Sequence, residues 1–416
     1  MSTSLWIINP YGSLPSESWS TYRSTMLAQC LATHGYTVTQ FISNFEHRSK
    51  TFRAEGQQVI AVDERYSIEI VPSTPYDSHI SVDRVRYERT FARNLLARTA
   101  GRSRPEFIVL AEPALFYYDI LLGPLLTADS ALVLDVIDIW PELFALVLPK
   151  RVRSWSSLLL APLYQWRKRL YRHADGVVAV ARDYLEIARS LVSSADVPLE
   201  VVYWSYNARE VHGEPTPPIV ELVSRKQPQE VWAIYAGTLG ANYDIPSIIR
   251  LARRSPSAAG QPVALKIIVA GDGPLAELCR RSSSDTFIFC GRLGPADLAL
   301  LYRHADIALS TYRGDSTVAM PIKAFDYLRY GLPMVNSLER DLGDIVRKYQ
   351  VGINYDAESP SSLADAVERL ASDEPLRRTM SANAKALAPS FSVEQQYPAF
   401  VRLLDQVAAH RGRKTQ

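Results

Sequence analysis

The chain reads as an α/β protein built from two doubly wound, Rossmann-like domains whose parallel sheets face a common cleft. Three observations predict this. At 416 residues it is too long for one ordinary core and suits two domains of roughly 200 residues. Short apolar runs alternate throughout with amphipathic stretches, the pattern of strand–helix–strand units. Glycine loops follow several of the apolar runs directly, where a parallel sheet presents its ligand-binding edge.

In the first half, strands are predicted at 5–9, 37–43, 107–111, 131–138, 176–180 and 200–203, separated by helices near 20–34, 82–100, 153–172 and 182–193. Residues 210–229 are rich in Pro, Gly and charge with little periodicity, and read as a connection between domains. A second series places strands at 231–236, 265–270, 286–290, 307–310 and 334–336. The expected boundaries are 1–209 and 210–391. Helices over 359–371, 375–386 and 392–409 close the chain, the last returning to the first domain with Tyr397, Phe400, Leu403 and Leu404 inward.

Composition narrows the function. A hydrophobic fraction of 47% with 22% charged residues suits a soluble globular chain, and a net charge of +2 gives no overall pull toward nucleic acid. Cys30, Cys279 and Cys290 lie far apart without metal-ligand spacing and read as free thiols, which favours a cytoplasmic setting. No signal peptide is expected at the start, and no run approaches the roughly 20 apolar residues of a membrane span.

The most informative stretch is 316–331, Ser-Thr-Val-Ala-Met-Pro-Ile-Lys-Ala-Phe-Asp-Tyr-Leu-Arg-Tyr-Gly. Pro321 suits the first position of a helix and Gly331 its stop. That leaves amides around Val318, Ala319, Met320 and Ile322 at the positive end of the helix dipole, a phosphate site to which Lys323 adds a full charge. Asp326, three residues on, shares its face and is placed to accept hydrogen bonds from a ribose. An amphipathic core helix with the same start and stop is the plainer reading of this segment alone.

The segment resembles the Pro-x-Lys-x-Phe-Glu-Tyr-Leu-x-x-Gly-x-Pro signature of bacterial retaining glycosyltransferases of sequence family 4, which have the two-domain GT-B fold. Pro321, Lys323, Phe325, Asp326, Tyr327, Leu328, Gly331 and Pro333 carry the resemblance. It implies that Asp326 binds the donor ribose. At the position of the family's first Glu, which contacts the sugar, stands Val318. The resemblance also implies that the loops Gly237-Thr238-Leu239-Gly240, Gly271-Asp272-Gly273 and Gly291-Arg292 border the donor, making Gly237, Gly240, Gly271, Gly273 and Arg292 site candidates. Many members carry an Arg and a Lys after the first loop; here the chain reads Ala241-Asn242-Tyr243-Asp244. No Asp-x-Asp cluster accompanies the motif, and the resemblance implies metal independence with no cofactor beyond the nucleoside-diphosphate sugar.

In the first domain, the 133–142 run ends a strand in Asp138, where the family has His-Asp or Arg-Asp, often followed by Trp-Pro; Ile137 takes the His position and Trp140-Pro141 follow. Asp138 is therefore expected to orient the acceptor, with a helix-capping role as the alternative. Glu112 is a second candidate carboxylate. Gly12, in the Asn9-Pro10-Tyr11-Gly12-Ser13 loop, matches the family's loop over donor phosphate and acceptor. Arg23 would supply positive charge or face solvent, and 43–50 reads as a polar surface loop, with contact to a charged acceptor as the alternative.

Between Glu142 and Asp175 no acidic residue occurs, while Lys150, Arg151, Arg153, Arg167, Lys168, Arg169 and Arg172 accumulate around Trp155 and Trp166. Such a segment resembles an interfacial helix drawn to anionic lipid, kinked at Pro162. A core helix with solvated basic ends is the alternative. The expectation is a hexosyltransferase-type enzyme, peripheral on the inner face of the membrane. It moves a sugar from a nucleoside diphosphate to a glycan or lipid-linked acceptor, with Asp138 and Lys323 catalytic. A sugar-nucleotide epimerase of the same architecture and a non-catalytic nucleotide-sugar-binding partner protein stay open.

Overall fold

The computed structural model describes residues 3–17, 22–53, 58–78, 80–126, 129–148, 150–207, 213–254, 263–359 and 361–414. Two compact units emerge, Met1–Asn207 with Val393–Gln416, and Ala208–Ser392.

The first unit holds strands β1 (Ser4–Ile8), β2 (Thr37–Ser43), β3 (Phe45–Glu46), β4 (Thr51–Phe52), β5 (Val59–Ala61), β6 (Tyr66–Val71), β7 (Phe107–Glu112), β8 (Ala131–Val136), β9 (Gly176–Ala179) and β10 (Leu199–Val201). Its main sheet runs β10-β9-β8-β7-β1-β2-β6-β5 and is parallel except for β5. Strand β1 sits between β2 and β7, with Leu5 opposite both Val38 and Phe107. The chain therefore reverses its winding at β1, and the loops leaving β1 and β7 flank the switch point. Ile7, Ile8, Phe41, Leu110 and Val133 fill the core. Strands β5 and β6 lay outside the predicted set. In β6, which lies between β2 and the edge strand β5, Tyr66, Ile68 and Ile70 alternate with Ser67 and Glu69, and this partly polar face weakens the apolar signal.

The predicted surface loop 43–50 is instead the start of the β3–β4 hairpin, with Phe45 buried against Tyr76 and Tyr87. Arg23 neither faces solvent nor offers charge to a ligand. It opens the helix Arg23–Thr33 fully buried, grips both oxygens of Asp135 at 2.8–3.0 Å, and donates to the carbonyls of Val202 and Tyr203. The closing helix Pro398–Lys414 belongs to this unit: Phe400, Leu403, Leu404 and Val407 are buried, and the Tyr397 hydroxyl donates to the Trp204 carbonyl at 2.8 Å.

The second unit is a six-stranded parallel sheet of β11 (Glu230–Ala236), β12 (Ala264–Ala270), β13 (Phe287–Gly291), β14 (Ile307–Ser310), β15 (Met334–Asn336) and β16 (Gly352–Asn354), in the order β13-β12-β11-β14-β15-β16. Its switch point lies between β11 and β14. A core of Ile234, Tyr235, Ile267, Val269, Leu309 and Val335 runs through the sheet. The expected connection at 210–229 is only partly one: 208–212 lie outside the described residues, and Pro217–Ser224 form a helix, started by its proline pair and anchored by buried Ile219. Both units are Rossmann-like, and the fold is GT-B.

Candidate functional site

The helix Ile322–Arg329 starts one residue later than the sequence suggests. Pro321 is its N-cap, with extended backbone, and Gly331 at φ 67° supplies the left-handed residue just past its end. The Tyr327 hydroxyl accepts from the Ala236 amide at 3.3 Å and donates to the Leu309 carbonyl at 3.2 Å, which fastens the helix to the ends of β11 and β14. Its open end is thereby held at the switch point.

Of the amides expected there, Val318 is spent on the Ser316 hydroxyl at 3.3 Å. Those of Ala319, Met320 and Ile322 make no hydrogen bond among the described residues. The side chains of Ala319 and Met320 are buried, so these residues offer a ligand only backbone.

Lys323 is the unusual group. Its Nζ is buried without a hydrogen-bond partner among the described residues and stands 4.0 Å from the ring centroid of Tyr235, 4.5 Å from that of Tyr243 and 5.3 Å from that of Tyr312. Burial pushes its pKa down to about 7. Gly237, at φ 145°, permits this approach, because a Cβ there would lie 3.0 Å from the amine. The loop after β12 is seated against the same turn. A Cβ on Gly271 would fall 1.8 Å from the Gly237 carbonyl oxygen and one on Gly273 2.7 Å from that of Leu239, and the Leu239 amide donates to the Asp272 carbonyl at 2.8 Å. These glycines are there for close loop packing that presents the switch point. A Cβ on Gly240 would meet only the Thr238 methyl at 3.6 Å, an ordinary contact, so packing does not demand glycine there.

The hydroxyls of Ser310 and Thr311, at the end of β14, are likewise buried without hydrogen-bond partners among the described residues. The sequence reading missed both, although Ser310 ends a strand and Thr311 directly follows it at the ligand-binding edge. Asp326 makes no side-chain hydrogen bond among the described residues, and burial, partly opposed by Arg329, raises its pKa to about 6. Arg292 is exposed just beyond β13, the outermost strand, two strands away from β11.

In the first unit, Asp138 follows β8, half-buried, accepting from the Ile139 amide at 2.9 Å; burial raises its pKa to about 6 against the pull of that amide and of Arg84. Glu112 ends β7 fully buried, accepting from the Ala114 amide at 3.0 Å, with its pKa pushed up to about 7 by burial. Gly12 is a packed turn, since a Cβ would lie 2.5 Å from the Ile42 side chain.

The basic segment departs from one long kinked helix. It comprises a 3₁₀ turn, Lys150–Trp155, then the helices Ser156–Leu159 and Ala161–Tyr171. Arg167 is not a surface group: it is buried, pairs through two nitrogens with Glu142 at 2.7 and 2.9 Å, and donates to the Trp140 carbonyl. Trp166 is half-buried, its carbonyl accepting from the Tyr118 hydroxyl. Trp155, Leu158 and Leu159 are more than half exposed, and Arg151, Arg169 and Arg172 of the same segment are exposed; Arg153 and Lys168 are half-buried. The Lys150 side chain lies outside what is described. Among the described residues no helix is long and apolar enough to cross a membrane.

Residues 233–373 match the family described as Glycosyl transferases group 1, a region containing Lys323, Asp326 and the glycine loops. No curated protein matches the chain by sequence. Among solved structures it is similar to the sucrose-phosphate synthase of Thermosynechococcus elongatus, with a TM-score of 0.74 at 14% identity, covering 98% of this chain and 100% of that one. It is similar also to Anabaena HepE in complex with UDP and glucose, with a TM-score of 0.62 at 15% identity over 97% of this chain and 99% of that one. The α,α-trehalose 6-phosphate synthase of Burkholderia multivorans gives a TM-score of 0.67 at 12% identity, covering 99% and 100%. The matched domain and this fold support a GT-B glycosyltransferase.

Proposed function

We propose that the protein is a retaining, metal-independent glycosyltransferase that moves a hexose-type sugar from a nucleoside diphosphate to a hydroxyl of a polysaccharide or lipid-linked acceptor. One observation carries the reading: a lysine amine without a hydrogen-bond partner among the described residues, walled by three tyrosines, at the open end of a helix on the switch point of a doubly wound sheet. A diphosphate placed there would give the amine its missing counter-charge and occupy the amides of Ala319, Met320 and Ile322. That HepE is described with UDP, glucose and UDP-glucose supports a nucleotide-sugar donor.

In this reading Asp326 accepts hydrogen bonds from the donor ribose. Lys323, the helix dipole and the loop amides stabilise the negative oxygens that grow as the diphosphate departs. Asp138 orients the acceptor hydroxyl or its proton, and attack on the leaving-group face retains the anomeric configuration. Gly237, Gly271 and Gly273 shape the donor seat. The exposed Trp155, Leu158 and Leu159 with their arginines support peripheral attachment to an anionic membrane surface, each basic side chain there contributing about 1 kcal/mol.

A thermal-shift screen against nucleoside diphosphates and their sugars tests the reading. A ligand at 100 times its dissociation constant stabilises by about 2.7 kcal/mol. A nucleotide-sugar that stabilises the protein and is then consumed only when an acceptor is added supports transfer; conversion of donor alone to an epimer would replace transfer by epimerisation, and no stabilisation by any nucleotide would remove the donor site.

A further inference from the structure

The first unit carries a second cation that lacks a hydrogen-bonding counter-group. Lys50 closes the β3–β4 hairpin at φ 58°, in the left-handed region that lysine rarely adopts. Glu46 builds that turn: its carbonyl accepts from the Lys50 amide at 3.0 Å, and its carboxylate takes the amides of Arg48 and Ser49. The result aims the lysine inward. Its Nζ is buried 3.8 Å from the ring centroid of Tyr76 and has no hydrogen-bond partner among the described residues.

A second positive group stands nearby. Arg84, in the first turn of the helix Val82–Thr99, lies 4.3 Å from the ring centroid of Trp140 and 5.1 Å from that of Tyr11, while its Nε donates to the Tyr11 hydroxyl and to Glu88. Glu88 therefore balances Arg84, not Lys50. Burial lowers the Lys50 pKa and the Arg84 charge lowers it further, against weaker opposing pulls from Asp77 and Glu46. The Trp140 indole on the far side of Arg84 is directed toward the Asp138 carboxylate. These side chains come from the loops at the carboxyl ends of β1, β2, β6 and β8, the edge at which doubly wound sheets take ligands.

We propose that this basin binds an anionic group, a phosphate or carboxylate carried by a sugar, with Lys50 as its principal counter-ion and Arg84 beside it. The rings of Tyr11, Tyr76 and Trp140 give such a sugar an apolar wall. The proposal rests on the glycosyltransferase reading and deepens it: the acceptor is an acidic saccharide.

Titration calorimetry on the full chain tests this with inorganic phosphate, glucose 6-phosphate, glucuronate and glucose as probes, each in the presence of saturating UDP so that the diphosphate seat is filled. The wild type should bind at least one of the anionic probes at least tenfold more tightly than glucose. Lys50→Gln should lose at least tenfold of that affinity and Lys50→Arg should stay within threefold, with UDP affinity the same in all three. Tighter binding of the phosphates assigns a phosphorylated acceptor, and tighter glucuronate an acidic sugar with a carboxylate. Melting separates a structural role: Lys50→Gln should melt no lower than wild type, because it removes a buried ammonium that lacks a hydrogen-bond acceptor. Anion binding unchanged in Lys50→Gln, no preference for the anionic probes, or a lowered melting temperature with affinity intact would overturn the proposal. Failure of every nucleoside diphosphate to bind, UDP included, would instead overturn the donor reading.

Discussion

The protonation of Lys323 should control donor affinity, and the structure sets both direction and size. Among the described residues the amine has no hydrogen-bond partner and faces three tyrosine rings, and burial lowers its pKa to about 7. A bound diphosphate favours the charged form, so the pKa must rise in the complex, and binding takes up a proton wherever the free amine is neutral. The charged fraction of the free protein falls from about nine-tenths at pH 6 to about one-tenth at pH 8, so affinity should fall about tenfold over that range, about 1.4 kcal/mol. A nucleotide-sugar is the right probe because its diphosphate has no ionisation in that window. Calorimetry at pH 6, 7 and 8, repeated in two buffers of different ionisation enthalpy, would measure the slope and the proton taken up. Lys323→Met should bind weakly with a flat profile. The same shift bears on folding: the unfolded lysine holds its proton up to pH about 10.5, so stability from this group rises with pH between about 7 and 10.5. A flat wild-type affinity profile, or a slope that survives in Lys323→Met, would refute the reasoning.

Three further outcomes follow from the geometry. Asp326→Asn should weaken nucleotide binding by roughly 10- to 150-fold in calorimetry with the melting temperature held, the loss expected for a hydrogen bond to a charged group. Gly271→Ala forces a Cβ to 1.8 Å from the Gly237 carbonyl oxygen at φ 154°, so the second unit should lose about 2–4 kcal/mol and melt roughly 5–15 °C lower. Asp135→Ala leaves Arg23 buried without its counter-ion and should cost about 3–5 kcal/mol in denaturant unfolding.

Much of the architecture was legible because parallel strands buried on both faces write themselves as continuous apolar runs, as in Ile-Val-Leu-Ala at 108–111 and Ile-Ile-Val-Ala at 267–270. The helix at 322–329 was legible too, since Pro321 and Gly331 mark its ends by local chemistry. What stayed hidden depends on partners distant in sequence. Nothing local tells that Arg23 is spent on Asp135, or that Arg167 is spent on Glu142 and so withdrawn from the basic surface. The tyrosine cage is hidden for the same reason: Tyr235, Tyr243 and Tyr312 stand in a strand, a loop and the end of another strand, and only sheet order brings them to one amine.

That cage also explains how the chain manages without the Arg and Lys that the resemblance leads one to expect after the first glycine loop. The segment there is committed elsewhere. Asn242 offers its carbonyl to the Arg313 amide, and Asp244 caps the helix Ile245–Arg253 by accepting from the Ser247 amide at 3.2 Å. Tyr243 stacks on Tyr312 with ring centroids 4.9 Å apart and walls the lysine. Two solvated cations would hold their charge at any physiological pH but would be screened by water. One buried amine acts in a medium of lower dielectric, where its charge counts for more, at the cost of a proton it holds loosely until an anion arrives. Replacing Tyr243 by Arg should therefore flatten the pH dependence of donor affinity rather than simply strengthen binding, because a fixed charge beside Lys323 would lower the amine's pKa further and take over its role.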